Sequence, residues 1–401
     1  MSLIEGEELQ PDAEEQTEPA DSMDQNINEK YVRGEIRIVT EQARYPLNAI
    51  AGIVESPSYK LSPEYQRRHR WSVDQQSRLI ESLIMNVPIP PIFLYEYDYS
   101  KYEVMDGLQR LTAIRDFYRD MYQLSGMTKW KELNGRSYSN LPEKIKEGID
   151  RRYLSSVILL KETAQNEVDA LHLKQMVFER INSGGERLTY QETRNAIYDG
   201  PLNYLCIKLS KAPELCRLWG IPEPEQNEIN GEPPSDERVQ NEDFRRMVDV
   251  ELVLRFFAYR QKHKLHKGSA LSVYLDTYLR LGNKFSKETL SSLESLFLET
   301  ITIIEAAFGK NAFCLWRQRG GNWSWYDRPT TTVYDPLMRV MSNHLAQSET
   351  IRENSSLFQK KITQFYQDHY AVFEGRNVNI NALKEREEKF EKFINETLAE
   401  K

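Results

Sequence analysis

Leu79, Ile80, Leu83 and Ile84 form one apolar stripe at helical spacing in "WSVDQQSRLIESLIMN", and Ser72 with Gln75 three residues on is a capping-box signature. A helix is predicted there. "VPIPPIFLYEY" follows, its prolines ending the helix and its run Ile92 to Tyr95 reading as a buried strand. Tyr102 to Met105 is a second short strand, after which Leu111, Ile114, Phe117, Tyr118 and Met121 recur with the helical period. "YEVMDGLQRLTAIRDFY" is therefore strand, turn, helix. Short apolar runs over residues 36–54 open the same domain, and "SSVILLKET" gives a further strand. Residues 125–150 read as an inserted polar segment rich in turn formers. Val168, Leu171, Phe178 and Ile181 share one helical face, closed by the glycines of "NSGG", and Thr189 with Glu192 makes a second capping box opening a helix through "QETRNAIY".

The pattern changes at Ile221. Between Ile221 and Asp243 stand eight acids against Arg238, with four prolines and few apolar positions, which predicts a linker or mobile loop. Beyond it, "FRRMVDVELVLRFFAYR", "LSVYLDTYLRL" and "ETLSSLESLFLETITIIEAAFG" are long helical patterns, and a charged helix, "NALKEREEKFEKFINETLAEK", ends the chain. No internal repeat or sustained heptad is visible. The fold class is α+β in the first half and mainly α-helical in the second, divided as an acidic tail over 1–30, a first domain over 31–200, a connecting segment over 201–243 and a helical domain over 244–401. Two cores suit 401 residues, since single cores stop growing near ~250–300 residues.

Charge alters that picture at one place. The net charge of −8 is concentrated in residues 1–30, which hold ten acids and one base, Lys30, leaving the remainder at +1. The tail reads as a solvated, disordered extension, or as a polyanion mimic competing for a basic site. No apolar run approaches the ~18 residues of a membrane helix, and the first residues lack a signal-peptide pattern. Cys206, Cys216 and Cys314 show no C-x-x-C spacing, which argues against a disulfide framework or zinc knuckle; a reducing cytoplasm is the expected setting. His263 and His266 form an H-x-x-H without a third ligand nearby, and read as a solvated basic face.

Chemistry is most concentrated at the seam of the strand-turn-helix. A helix entered through glycine presents backbone N–H groups and the positive end of its dipole at one point, where a phosphate binds readily. Gly107 allows close approach, Arg110 offers a bidentate charge-assisted contact, Thr112 offers a hydroxyl, and Asp106 positions water or a cation or caps the helix. The plainer reading is a D-G turn serving as punctuation. In "YQRRHRW", Arg67 and its basic neighbours between Tyr65 and Trp71 suit phosphate contact, with surface ion pairs and a tryptophan anchor as the alternative. In "LWRQRGGNWSWYDRPTTTVYD", Arg317, Arg319 and Arg328 interleave with Trp316, Trp323, Trp325 and Tyr326, a pattern for stacking on single-stranded or flipped bases; otherwise the tryptophans are core.

Four stretches in order, "PEYQRRHRW", "LIESLIMNVPIPPIFLYE", "DGLQRLTAI" and "FERINSGGERLTYQETRNA", resemble the domain-of-unknown-function family 262, which includes the N-terminal half of GmrSD-type modification-dependent restriction enzymes and is marked by a D-G-Q-Q-R motif. The resemblance covers roughly residues 40–200. It implies a ParB/sulfiredoxin-like fold in which the motif binds nucleotide phosphates. Asp106, Gly107, Gln109 and Arg110 match the motif, Leu108 replaces its usual glutamine, and Arg67, Asn182 and Glu192 fall at matching positions for nucleotide or metal contact. The implied activity is nucleoside triphosphate hydrolysis, with GTP or ATP and Mg2+, in defence against phage DNA; Asp106, Gln109, Arg110 and Glu192 are then the catalytic candidates. DNA nicking at the same pocket, and a non-catalytic module that recruits a separate nuclease or defence subunit, are the rivals, and whether the chain is an enzyme stays open. DNA is the expected partner, no membrane is expected, and self-association is left open. No residue context resembles an HNH nuclease, so none is predicted in this chain.

Overall fold

The computed structural model describes residues 3–9, 38–61, 68, 71–163, 167–181, 189–229, 234–262, 270–374 and 380–400. They fall into two compact units, one within 14–189 and the other within 190–401 together with residues 3–9.

In the first unit, β1 (Thr40–Pro46), β2 (Tyr59–Lys60), β3 (Ile92–Asp98), β4 (Lys101–Asp106) and β5 (Tyr153–Leu159) form a mixed sheet in the order β1-β5-β3-β4-β2. β3 runs parallel to β5 and antiparallel to β4, with Leu94 opposite Val104 and Phe93 opposite Asp106. The helix Val73–Ile84 carries the expected capping box, Ser72 and Gln75 each bonding the other's backbone. Its Leu79, Ile80 and Leu83 join Ile92, Leu94 and Val104 of the sheet and Leu111, Ile114 and Phe117 of the helix Leu108–Tyr118 in one core. That second helix stops short of the expected Met121. The chain leaves it at Arg119, Asp120 takes the left-handed conformation, and Met121 is exposed. On the opposite face of β4, Glu103 pairs with the buried Lys174 of the helix Glu167–Ile181 at 2.7 Å.

Residues 125–150 are not an insertion beside this core. Met127, Leu133, Leu141 and Ile149 belong to it, and the Tyr118 and Tyr138 hydroxyls both donate to Asp150. The turn is clipped by Glu81, whose buried Oε1 accepts the backbone N–H groups of Thr128, Lys129 and Trp130 at 3.0, 2.6 and 2.9 Å. Burial pushes the Glu81 carboxyl up, but these donors more than offset it and hold it below its ordinary value. The clip is therefore complete above the ordinary glutamate range and lost as pH falls through the lowered folded value. Glu81→Ala is expected to cost about 2 kcal/mol at neutral pH, read from the urea midpoint, and to flatten the acid limb of the stability curve.

The second unit is mainly helical, with Lys287–Phe308 its longest helix and Phe256, Phe257 and Phe297 packed edge to face in its core. Three expectations change here. Residues 3–9, within the segment expected to be solvated, are folded against this unit: Glu7 is fully buried and pairs with Arg260 at 2.6 Å, while Gln261 donates to the Glu7 carbonyl. Residues 10–30 lie outside the described residues. The described part of 221–243 forms the short helices Gln226–Ile229, Asp236–Gln240 and Glu242–Arg245 rather than a linker. Its one base, Arg238, is fully buried, pairs with Glu228 at 2.8 Å, donates to the Pro222 carbonyl and lies over the Phe244 ring. Finally, β6 (Trp316–Arg319) and β7 (Asn322–Trp325) form a hairpin in the otherwise helical half. Gly320 and Gly321 both have positive φ, as a two-residue I′-type turn demands. Cys206, Cys216 and Cys314 are buried free thiols, and no described helix is long and apolar enough to cross a membrane.

Candidate functional site

β4 ends at Asp106, Gly107 turns the chain at φ +98°, and the helix starts at Leu108 with no side-chain cap on its first turn. Only glycine fits. A Cβ at Gly107 would stand 2.4 Å from Ile92 Cγ2 and 3.1 Å from an Arg110 nitrogen. Arg110, one turn into the helix and buried, reaches back across this seam. Its Nη2 donates to Asp106 Oδ2 at 2.6 Å and its Nη1 to the Pro90 carbonyl at 2.6 Å. Asp106 is the more open partner, with 34% of its side chain exposed against 11% for Arg110. Gln109 Oε1 accepts the Trp71 N–H at 3.2 Å.

Three separate stretches of sequence thus meet at one turn: "DGLQR" itself, the Pro90–Ile92 end of the proline-rich connection, and Trp71 at the end of "YQRRHRW". Asp106, Gly107, Gln109 and Arg110 are brought together as expected. The remaining side chains are not arranged as the phosphate reading supposed. Thr112 Oγ1 donates back to the Leu108 and Gln109 carbonyls at 3.0 and 3.1 Å, so its hydroxyl is spent inside the helix. Leu108 is buried in the core, which explains an apolar residue where the motif usually carries an amide. Glu192, in the helix Tyr190–Ile197, is only 2% exposed and belongs to the other unit. Arg67 and Asn182 lie outside the described residues. No group of three or more His, Cys, Asp or Glu side chains suited to a metal ion occurs among the described residues.

A second constellation lies on the β6–β7 hairpin. Trp316 faces Trp325 across the strands, their rings edge to face at 5.4 Å; Trp325 also meets Tyr366, and Trp323 packs on Tyr370. Both expected stacking residues, Trp323 and Trp325, are thereby half-buried supports of the hairpin. On its other face the Arg317 guanidinium lies 3.9 Å from the Tyr326 ring centre, and the exposed Arg319 lies 5.2 Å from it. Arg328 is exposed beyond the hairpin. A cavity of about 550 Å³ opens here, walled by Trp316, Arg317, Tyr326, Tyr366, Tyr370 and Phe373. Sequence reading singled out Trp316 and Tyr326 with the other aromatics of this stretch but passed over Tyr366 and Tyr370. The period-2 alternation of "WRQR" and "NWSW" around Gly-Gly was the available signal.

Sheet, turn and helical companion define an α+β protein whose first unit presents a glycine-opened helix terminus beside an arginine. Residues 50–198 match the family model described as GmrSD restriction endonuclease, N-terminal domain. No curated protein and no solved structure matches the chain significantly.

Proposed function

We propose that the chain is the nucleotide-binding component of a DNA-directed restriction or phage-defence system, with nucleoside triphosphate phosphates seated at the Asp106–Arg110 turn. The observation that carries this reading is the convergence, at an uncapped helix start, of three stretches of a GmrSD N-terminal-type domain around Gly107. A phosphate at the Leu108–Arg110 backbone competes with Asp106 for Arg110, whose planar fork suits either anion. Asp106, released from the pair, would be the residue to hold an Mg2+ accompanying the phosphates, which would supply neutralisation of their charge. What the protein contributes is mostly position and fixed charge: the helix terminus and Arg110 on the phosphates, Gln109 fixing the neighbouring backbone at Trp71. A non-catalytic module that binds nucleotide and recruits a separate nuclease is the second reading. It is favoured by Leu108 and Thr112, both of which are occupied structurally.

Triphosphate binding by calorimetry, with phosphate release measured in parallel with Mg2+ and DNA, separates these. The parent is expected to bind ATP or GTP saturably. Arg110→Lys, which keeps the charge but not the fork, should weaken binding about tenfold. Asp106→Asn should retain binding and lose phosphate release. Binding without release in the parent selects the recruiting module, and the absence of binding to any triphosphate overturns both readings.

A further inference from the structure

We infer that the hairpin cavity receives a single unstacked nucleobase of a DNA strand. This rests on the DNA-directed reading above, but on a different site. Arg317 makes no hydrogen bond or ion pair among the described residues, although the residue is half-buried and its Nε buried outright. A cation so placed is normally paired. Here its contact is the face of Tyr326, 3.9 Å away, which fixes the guanidinium plane at the cavity wall. The Trp316 ring lines the same cavity and meets Trp325 edge to face.

The chemistry of the occupant follows from the walls. Flat aromatic sides ask for a flat, apolar-faced group, and the outer nitrogens of the Arg317 guanidinium at the wall ask for carbonyl or ring-nitrogen acceptors on its edge. A nucleobase has both. The cavity, about 550 Å³, has room for a base and its sugar but not for a stacked pair of strands. The carboxylate of Glu374, which accepts the Tyr370 hydroxyl, lines the same cavity and disfavours a phosphate inside it. Arg319, also over Tyr326 but exposed, and the exposed Arg328 offer positive charge outside, where the strand's backbone would run. Trp323 and Trp325 act here as the support that holds Trp316 and the hairpin in place.

The test compares the full chain's affinity for a short single-stranded oligonucleotide and for an abasic strand with the same number of phosphates, by fluorescence anisotropy. The base-bearing strand should bind about tenfold tighter. Arg317→Gln and Trp316→Ala, each checked for native circular dichroism and melting, should abolish that preference while leaving binding of the abasic strand nearly unchanged. Equal affinity of the parent for both strands, or a preference that survives both substitutions, overturns the inference while leaving the DNA-directed reading intact. The absence of binding to any DNA overturns both. Nucleoside monophosphates that bind as tightly as the oligonucleotide, with the same dependence on Arg317, assign the cavity to a free nucleotide and overturn the strand as its source. Phosphate release at the Asp106–Arg110 turn is read independently, so its failure is distinct from failure at the cavity.

Discussion

Gly107→Ala is expected to lower the stability of the first unit by at least ~3 kcal/mol, by two additive routes. Placing an L-residue at φ +98° costs about 1–2 kcal/mol on its own. The added Cβ would also stand 2.4 Å from Ile92 Cγ2 and 3.0 Å from Ile92 Cβ. Ile92 cannot retreat easily, because it is 1% exposed and its strand is bonded on both sides, to β4 and β5. Relief by a shift of the helix start would pull Arg110 from Asp106 and Pro90, so nucleotide binding should fall along with stability. Chemical denaturation of the variant, alone and combined with Ile92→Ala, separates the routes: the double variant recovers the clash but not the backbone strain. A single-variant cost under about 0.5 kcal/mol, the range of inert surface changes, would sink this account of the turn.

Arg238→Ala is expected to cost about 3–5 kcal/mol, because it strands the Glu228 carboxylate in the interior. Glu228 is 4% exposed and Arg238 fully buried, their charges 2.8 Å apart. The same guanidinium donates to the Pro222 carbonyl and covers Phe244, so one side chain ties together the start, middle and end of 221–243. Its loss should expose this stretch to limited proteolysis before the remainder of the unit. Adding Glu228→Gln removes the stranded charge and should restore a large part of the loss. If the double variant is no more stable than the single, the ion pair is not what organises the segment.

Legibility in the sequence followed how local the determining interactions are. The Ser72 cap, the apolar stripe of Val73–Ile84 and the strand-glycine-helix order around Gly107 are settled within a few residues of chain, and each was readable. So was the grouping of Asp106, Gly107, Gln109 and Arg110, which one turn of helix brings together. The partners of those groups were not readable. That Arg110 spans to Pro90 and Gln109 to Trp71 depends on contacts 20 and 38 residues away in sequence. Residues 125–150 and 221–243 were misread for a related cause. Their polar composition suggested loops, whereas Glu81 and Arg238 bury a charge in each and satisfy it with backbone groups or a carboxylate. Composition counts charges but does not say which are inside.

The sequence by itself determined a two-part α+β chain, a turn that only glycine can make, and a family-type domain over its first half, because these rest on short-range periodicity, backbone sterics and ordered motifs. The tertiary structure alone decided what the polar side chains face. It turned Leu108 into core, closed Thr112 on its own helix, buried Glu7 against Arg260, and left Arg317 on Tyr326 without an ion pair among the described residues. Those outcomes are set by which surfaces pack together once the chain has collapsed, and desolvation then fixes whether a polar group is satisfied within the protein or kept for a ligand.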